Sequence, residues 1–387
     1  MGRRSRRRRT TGPAGLPFAS TKAGRLILHL LRLVTGGVFV FSGAVKAIDP
    51  LGTVYKIEDY LDAFGSFWIQ LSSLAYPAAI VLIAFELMIG IQLLLMIRFR
   101  DNTLLAMLFM LVMTPLTFYI ALRNPVTDCG CFGDALKITN WETFYKNIVL
   151  LGITVVLVAT RDKFKPFFLP PVEFGIAGFF LLLVSGFMTY TILHLPLIDF
   201  RPYKVGVNIP EAMKIPENAP VDEYDYSFVY AKDGLQQRFG IDSLPDSTWT
   251  FVEQKSVLIK KGYEPPVTNF TILNADFQDI GRDILEFPGK TYLLIMYDLG
   301  KTSTKGIQKM NEFFAARYSS GLRFYGVTAS TPDEVAEFQK KNWLTFPVFT
   351  ADAVFLKTLI RANPGLVVIE NGTIVDKRNW RDSDKIQ

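Results

Sequence analysis

Cysteine and histidine are scarce in this chain: two of each in 387 residues. Zinc takes four ligands in a structural site and three in a catalytic one. The histidines, His29 and His194, fall in or at the ends of apolar segments, so no metal site is expected. The sequence also contains no serine-hydrolase, phosphate-loop or metallohydrolase signature. Acidic charge is missing from the first 25 residues, which hold Arg3, Arg4, Arg6, Arg7, Arg8, Arg9, Lys22 and Arg25. Setting those eight aside turns the net charge of +6 into −2. Basicity therefore belongs to the tail, which reads as a cytoplasmic anchor beside a membrane span rather than a nucleic-acid arm.

What is plentiful is apolar sequence before residue 198. Half the chain is hydrophobic. Five segments have the ~20 mostly apolar residues that a membrane helix needs: 26–48, 72–97, 103–122, 144–160 and 173–195. Their backbones satisfy their own hydrogen bonds, so long apolar runs read as helices. Arg98 and Arg100 follow the second span, and Arg161, Lys163 and Lys165 follow the fourth. Together with the basic tail they mark one side as cytoplasmic. The expected protein is a multi-pass protein of the cell (inner) membrane, with a cytoplasmic N-terminus and an extracytoplasmic C-terminal domain. Residues 51–69 mix apolar and charged positions and are expected to form an amphipathic helix on the outer surface.

The two cysteines stand in Asp128-Cys129-Gly130-Cys131-Phe132-Gly133-Asp134, a polar loop on that outer side, where disulfides persist. In an extended strand their Cα atoms would be ~6.6 Å apart, near the long end of disulfide geometry. Gly130 can adopt positive φ and draw them closer. A strained, exposed bond of this kind is labile and oxidising. Three readings stay open: a redox pair, a structural or inert pair, and half a metal site. Asp128 and Asp134 are expected to raise the thiol pKa values, because negative charge disfavours thiolate.

Glu86 lies near the middle of the second span, where a carboxylate is costly and normally faces a partner inside the bundle. Arg32 is a candidate partner. Two readings stand: a proton or quinone site coupled to the cysteine loop, or a glutamate that fixes helix packing. Lys46 and Asp49 end the first span and can pair with each other, Asp128 or Asp134. Gly36, Gly37 and Gly43 allow close helix contact.

After residue 198 the composition changes. Residues 199–261 read as an extended linker followed by a hairpin turning at Lys232-Asp233-Gly234. Residues 262–387 read as an α/β unit: strands at 290–297 and 322–327, helices at 303–318 and 332–342, and a closing hairpin at Asn371-Gly372.

This order resembles the thioredoxin fold in its peroxiredoxin-like form over roughly 262–380, with Glu264-Pro265-Pro266-Val267-Thr268-Asn269-Phe270 as its opening segment. The resemblance implies a groove at Asn363 and Pro364, with a cis-proline at 364. The position of that family's redox pair reads Asp298-Leu299-Gly300-Lys301-Thr302-Ser303-Thr304-Lys305-Gly306. It has no cysteine, so the domain does not exchange thiols by itself; it is expected either to bind a peptide or partner in that groove or to be a structural relic. The transmembrane domain, 26–198, resembles the DoxX-like family, and more closely its methylamine-utilisation branch, MauE, with the resemblance covering about 25–160. The resemblance is carried by residues 36–50, by Phe85-Glu86-Leu87-Met88-Ile89-Gly90 and by the cysteine loop. It implies disulfide or electron transfer for exported proteins. Cys129 and Cys131 would be the catalytic pair, supported by Asp128, Gly130, Gly133, Asp134, Glu86, Lys46 and Asp49. The partner would be an exported client or a membrane redox protein, with a quinone as the cofactor to consider. The rival is a non-enzymatic membrane scaffold that holds an assembly partner. The expected fold class is a membrane helical bundle plus an α/β thioredoxin-like domain.

Overall fold

The structure, a computed structural model, describes residues 19, 21–126, 128–317 and 323–386. Most of the basic tail lies outside the described residues. Among them, five helices are long and apolar enough to cross a membrane: Lys22–Ile48, Ser72–Leu95, Phe99–Arg123, Asn140–Lys163 and Pro170–Leu193.

The first is α1 (Lys22–Ile48), started by Thr21, whose side chain accepts from the Gly24 amide. Asp49 ends it and caps α2 (Pro50–Ala63), followed by the short α3 (Ser66–Ile69). The spans continue as α4 (Ala75–Leu95), α5 (Phe99–Arg123), α6 (Asn140–Thr160) and α7 (Pro170–Leu193). A capping box between Thr139 and Glu142 starts α6, satisfying two amides that the helix leaves open.

Small residues set how α1 meets α4. A Cβ on Gly43 would stand 2.7 Å from Leu87 Cβ, and one on Gly90 would stand 2.6 Å from the Val40 amide. Gly36 packs on Leu94 in the same register, whereas Gly37 meets nothing and faces away. Packing replaces the hydrophobic effect between helices in lipid, so close backbones matter more here than in water.

The two ends of the bundle differ. At one end Arg100 pairs with Asp162, His29 packs on Phe164, and Arg32 donates to the carbonyls of Leu93 and Leu94 at 2.9 and 2.7 Å. At the other end lie α2, the cysteine loop and the C-terminal domain. The expected alternation of loops is thus present.

The C-terminal part begins with α8 (Ile209–Ala212). An antiparallel three-stranded sheet follows, β1 (Glu223–Lys232), β2 (Leu235–Gly240) and β3 (Thr250–Lys260), in the order β2-β1-β3. The expected hairpin turn has Asp233 and Gly234 at positive φ. The chain continues as α9 (Gly281–Leu285), β4 (Lys290–Ile295), α10 (Thr304–Ala315), β5 (Arg323–Thr328), α11 (Pro332–Asn342), β6 (Val348–Thr350), α12 (Ala353–Leu359), β7 (Gly365–Glu370) and β8 (Thr373–Asn379). The second sheet has the order β6-β5-β4-β7-β8. Strands β4, β5 and β6 are parallel, and β7 and β8 run antiparallel to their neighbours. Leu293, Leu294 and Ile295 are fully buried between cores on its two faces. Asn371 and Gly372 both have positive φ at the tight β7–β8 turn.

The segment from 199 is not an extended linker. Tyr203 and Ile209 are buried in the sheet domain's core, and Asp199 binds Arg201 and Lys377 at 2.7 Å each. Its prolines mimic an open chain, but these anchors hold it to the sheet.

Candidate functional site

The cysteine loop is drawn tight by two left-handed glycines, Gly130 (φ 66) and Gly133 (φ 52). The Gly133 amide donates to the Gly130 carbonyl, and the Gly130 amide donates to Asp128 Oδ1. The result sets the sulfurs of Cys129 and Cys131 3.1 Å apart, as free thiols within hydrogen-bond reach. The expected exposure of the pair is corrected, because each cysteine is only 8% exposed.

Five side chains hold the loop from below and beside. Ser42 on α1 donates to the Cys131 carbonyl at 2.6 Å, and Tyr60 on α2 donates to the Cys129 carbonyl at 2.7 Å. Phe132 packs on Phe41, with the Lys146 ammonium 4.3 Å from its ring centre. The Lys56 stem lies against Gly130, where a Cβ would come within 3.0 Å of it.

Lys46 continues the chain of contacts into the membrane. Its ammonium donates to Ser42 Oγ at 3.1 Å and to Glu86 at 2.6 Å, with both side chains buried. The expected Arg32–Glu86 pair is therefore corrected: Arg32 serves backbone carbonyls at the opposite end, and Lys46 reaches down from the cysteine side. A carboxylate in a span needs a partner with its own hydrogen bonds, and Lys46 meets that need while touching the cysteine loop through Ser42.

The other acids also find cations. Asp128 lies 3.6 Å from Lys56. Asp49 and Asp134 do not bind Lys46; both bind Arg361 of the C-terminal domain, at 2.8 and 3.3 Å. Burial works against the Arg361 charge, but Asp49 and then Asp134 outweigh it and raise its pKa.

The main causes of the thiol shifts are not Asp128 and Asp134, and the expected rise is found at Cys129 alone. The Cys131 thiol is drawn down to about 6 by the hydrogen bond from Cys129, then by Lys146 and Lys46, against its burial. Cys129 is pushed up by the same bond and by burial. One proton leaves easily and the second is held.

The C-terminal domain covers the site. The Tyr55 hydroxyl on α2 donates to the Tyr297 hydroxyl, just past β4, at 2.8 Å, and Lys357 reaches Glu58 at 3.4 Å. Under this cover is a cavity of about 440 Å³. Lys46, Lys56, Tyr60, both cysteines and Arg361 line its upper part; Leu82, Met113, Leu116 and Ile120 line its floor.

The sequence-derived groove positions are placed differently from Arg361. Asn363 turns back on the domain, donating to the Asp298 carbonyl at 2.8 Å and accepting from Thr302 at 2.9 Å. The Asn363–Pro364 bond is cis, and Pro364 packs against Gly306. Two residues earlier, Arg361 faces the bundle. Tyr55, Tyr60, Lys56, Ser42 and Arg361 were missed because each needs the fold to bring it near the loop. The mixed polarity of 51–69 was the only hint.

Five apolar helices and a cysteine-lined cavity define a multi-pass membrane protein with two adjacent free thiols in a cavity wall. The family model described as Methylamine utilisation protein MauE matches residues 24–160, the membrane domain through α6. Residues 224–261, which are β1 to β3, match a Domain of unknown function (DUF8463). No curated protein and no solved structure matches the chain.

Proposed function

We propose that Cys129 and Cys131 form a dithiol–disulfide centre that exchanges electrons with exported proteins on the outer face of the cell (inner) membrane. The observation that carries this reading is the pair itself: two sulfurs 3.1 Å apart at the wall of a cavity, with Lys46 and Lys146 favouring the Cys131 thiolate. A low-pKa thiol leaves faster in disulfide exchange. A client thiolate therefore attacks Cys129 of the disulfide, and Cys131 leaves as thiolate. The second client thiol then displaces Cys129. The client gains a disulfide, and two electrons and two protons end on the pair.

The orientation, with the N-terminus cytoplasmic, is supported by the basic tail and by Arg98, Arg100, Arg161, Lys163 and Lys165 at one end of the bundle. The strand order β6-β5-β4-β7-β8 supports a thioredoxin-like, peroxiredoxin-type reading of the C-terminal domain. Lacking a thiol at 298–306, this domain acts as the cover of a site that the bundle supplies, in keeping with a DoxX-type role in the maturation of exported proteins.

The burial of both thiols favours one other reading, a scaffold in which the pair only packs the loop. Equilibrating the full-length protein in lipid discs with glutathione redox buffers separates the two. A reversible midpoint within roughly −120 to −270 mV, the range of known exchange proteins, supports the centre. A pair that stays reduced throughout supports the scaffold.

A further inference from the structure

The cavity continues below the cysteines into the membrane domain, and its floor is apolar. Leu82 comes from α4, and Met113, Leu116 and Ile120 come from α5. These two helices are consecutive among the long spans. Near the far turn they are tied by Asn102 and Gln92 at 2.5 Å, and Phe85 packs on Phe109 with ring centres 6.0 Å apart. Toward the cysteine end, the cavity stands between Leu82 and Met113. Helices α1 and α4, by contrast, are locked by Gly43 and Gly90. Side chains of α4 and α5 thus share one cavity wall with the thiols.

The top of the same cavity holds a cation with protons to give. Lys56 Nζ lies 3.6 Å from Asp128 and 3.9 Å from Asp59, beyond hydrogen-bond reach of either. Its stem lies on Gly130, between the two cysteines. A ligand suited to this space has a flat head with hydrogen-bond acceptors and an apolar tail. At about 440 Å³ the space is of the size that small-molecule sites usually have.

We propose that the cavity binds a lipid-soluble quinone, which re-oxidises the pair. This rests on the dithiol–disulfide reading above and names its electron acceptor. The head sits beside Cys131 with a carbonyl accepting from Lys56, and the tail leaves between α4 and α5 over Leu82 and Met113. The two thiols give up two electrons and two protons, the S–S bond forms, and the quinone becomes the hydroquinone.

A single-turnover experiment tests this. Full-length protein in quinone-free lipid discs is reduced, freed of reductant, and mixed with a benzoquinone bearing one isoprenoid unit. Quinone absorbance and the alkylation mass shift of the cysteines are followed together. The expected result is one quinone reduced per disulfide formed. In Leu82→Trp and Met113→Trp, which fill the floor, the ratio of the quinone rate to the glutathione-disulfide rate falls by about tenfold. Lys56→Met lowers that ratio by weakening quinone binding. If glutathione disulfide oxidises the pair but the quinone does not, or if both tryptophan variants keep the wild-type ratio, the quinone site is overturned while the dithiol centre stands. If neither oxidant forms the bond, the dithiol reading itself has failed.

Discussion

Two loops are held by α2, one through Tyr60 and one through Tyr55, and they differ in what they carry. The membrane domain's loop, 128–134, presents two thiols. The loop after β4, 297–303, presents Tyr297, Asp298 and Ser303, and none of its side chains is a thiol. The first is positioned by left-handed glycines, Ser42, Tyr60 and a buried Lys46–Glu86 pair. The second is used for docking, through Tyr297 on Tyr55. The sheet domain thus contributes docking contacts, while both cysteines belong to the membrane domain's loop. Position alone does not assign a role; the side chains at the position do.

The comparison breaks most sharply if the thiols are removed. Cys131→Ser is expected to lower thiol–disulfide exchange with a model dithiol by roughly 10³-fold or more. Changes of the same size in the covering loop, such as Asp298→Ala, should leave far more activity. Stopped-flow measurements on the two variants rank the loops directly.

The buried pair beneath the thiols comes next. Glu86→Leu leaves the Lys46 ammonium buried with only Ser42, a loss of about 3 kcal/mol by analogy with other broken buried pairs. Thermal unfolding in detergent should show the drop. The double variant Lys46→Met with Glu86→Leu should recover much of it, since no lone charge remains.

A smaller effect is expected at the lid. Arg361→Gln removes the tie to Asp49 and Asp134. If that tie supplies about 1–2 kcal/mol of docking, the open population rises by roughly 5–30-fold. Alkylation of the two cysteines by a polar maleimide should rise accordingly. An unchanged rate would mean that the domain does not restrict access.

The pH dependence is the finest test. The Cys131 thiol sits at about 6, so thiolate forms as pH rises through that value. Its alkylation rate should climb between pH 5 and 7 and then level, while Cys129 stays slow, its proton held by Cys131 and by burial. Peptide mass spectrometry resolves the two sites.

Much of this was legible from local patterns. The five apolar runs, the Asn371-Gly372 turn and the Lys232-Asp233-Gly234 turn follow from composition and turn chemistry alone. The pairings were harder, because they depend on how helices rotate against each other. Arg32 and Glu86 looked matched by charge, yet Gly36, Gly43 and Gly90 lock an antiparallel register that brings Lys46 to Glu86. Those glycines held the missing information. Read as a register rather than as separate packing sites, they would have named the partner. Arg361 gave no such signal, since it lies about 230 residues from Asp134 and needs both domains in place. The short β6 and α12 were missed because Val348–Thr350 and Ala353–Leu359 offer too few residues to display a period.

The central claim is that Cys129 and Cys131 cycle between thiol and disulfide in the membrane. The most direct test is their redox state in intact membranes, trapped in acid and read with a mass-tagged maleimide before and after mild reduction. The account predicts a partly oxidised pair that reduces readily and re-forms its bond once the reductant is withdrawn. Two thiols that remain reduced, or a bond that resists mild reductant, would contradict it.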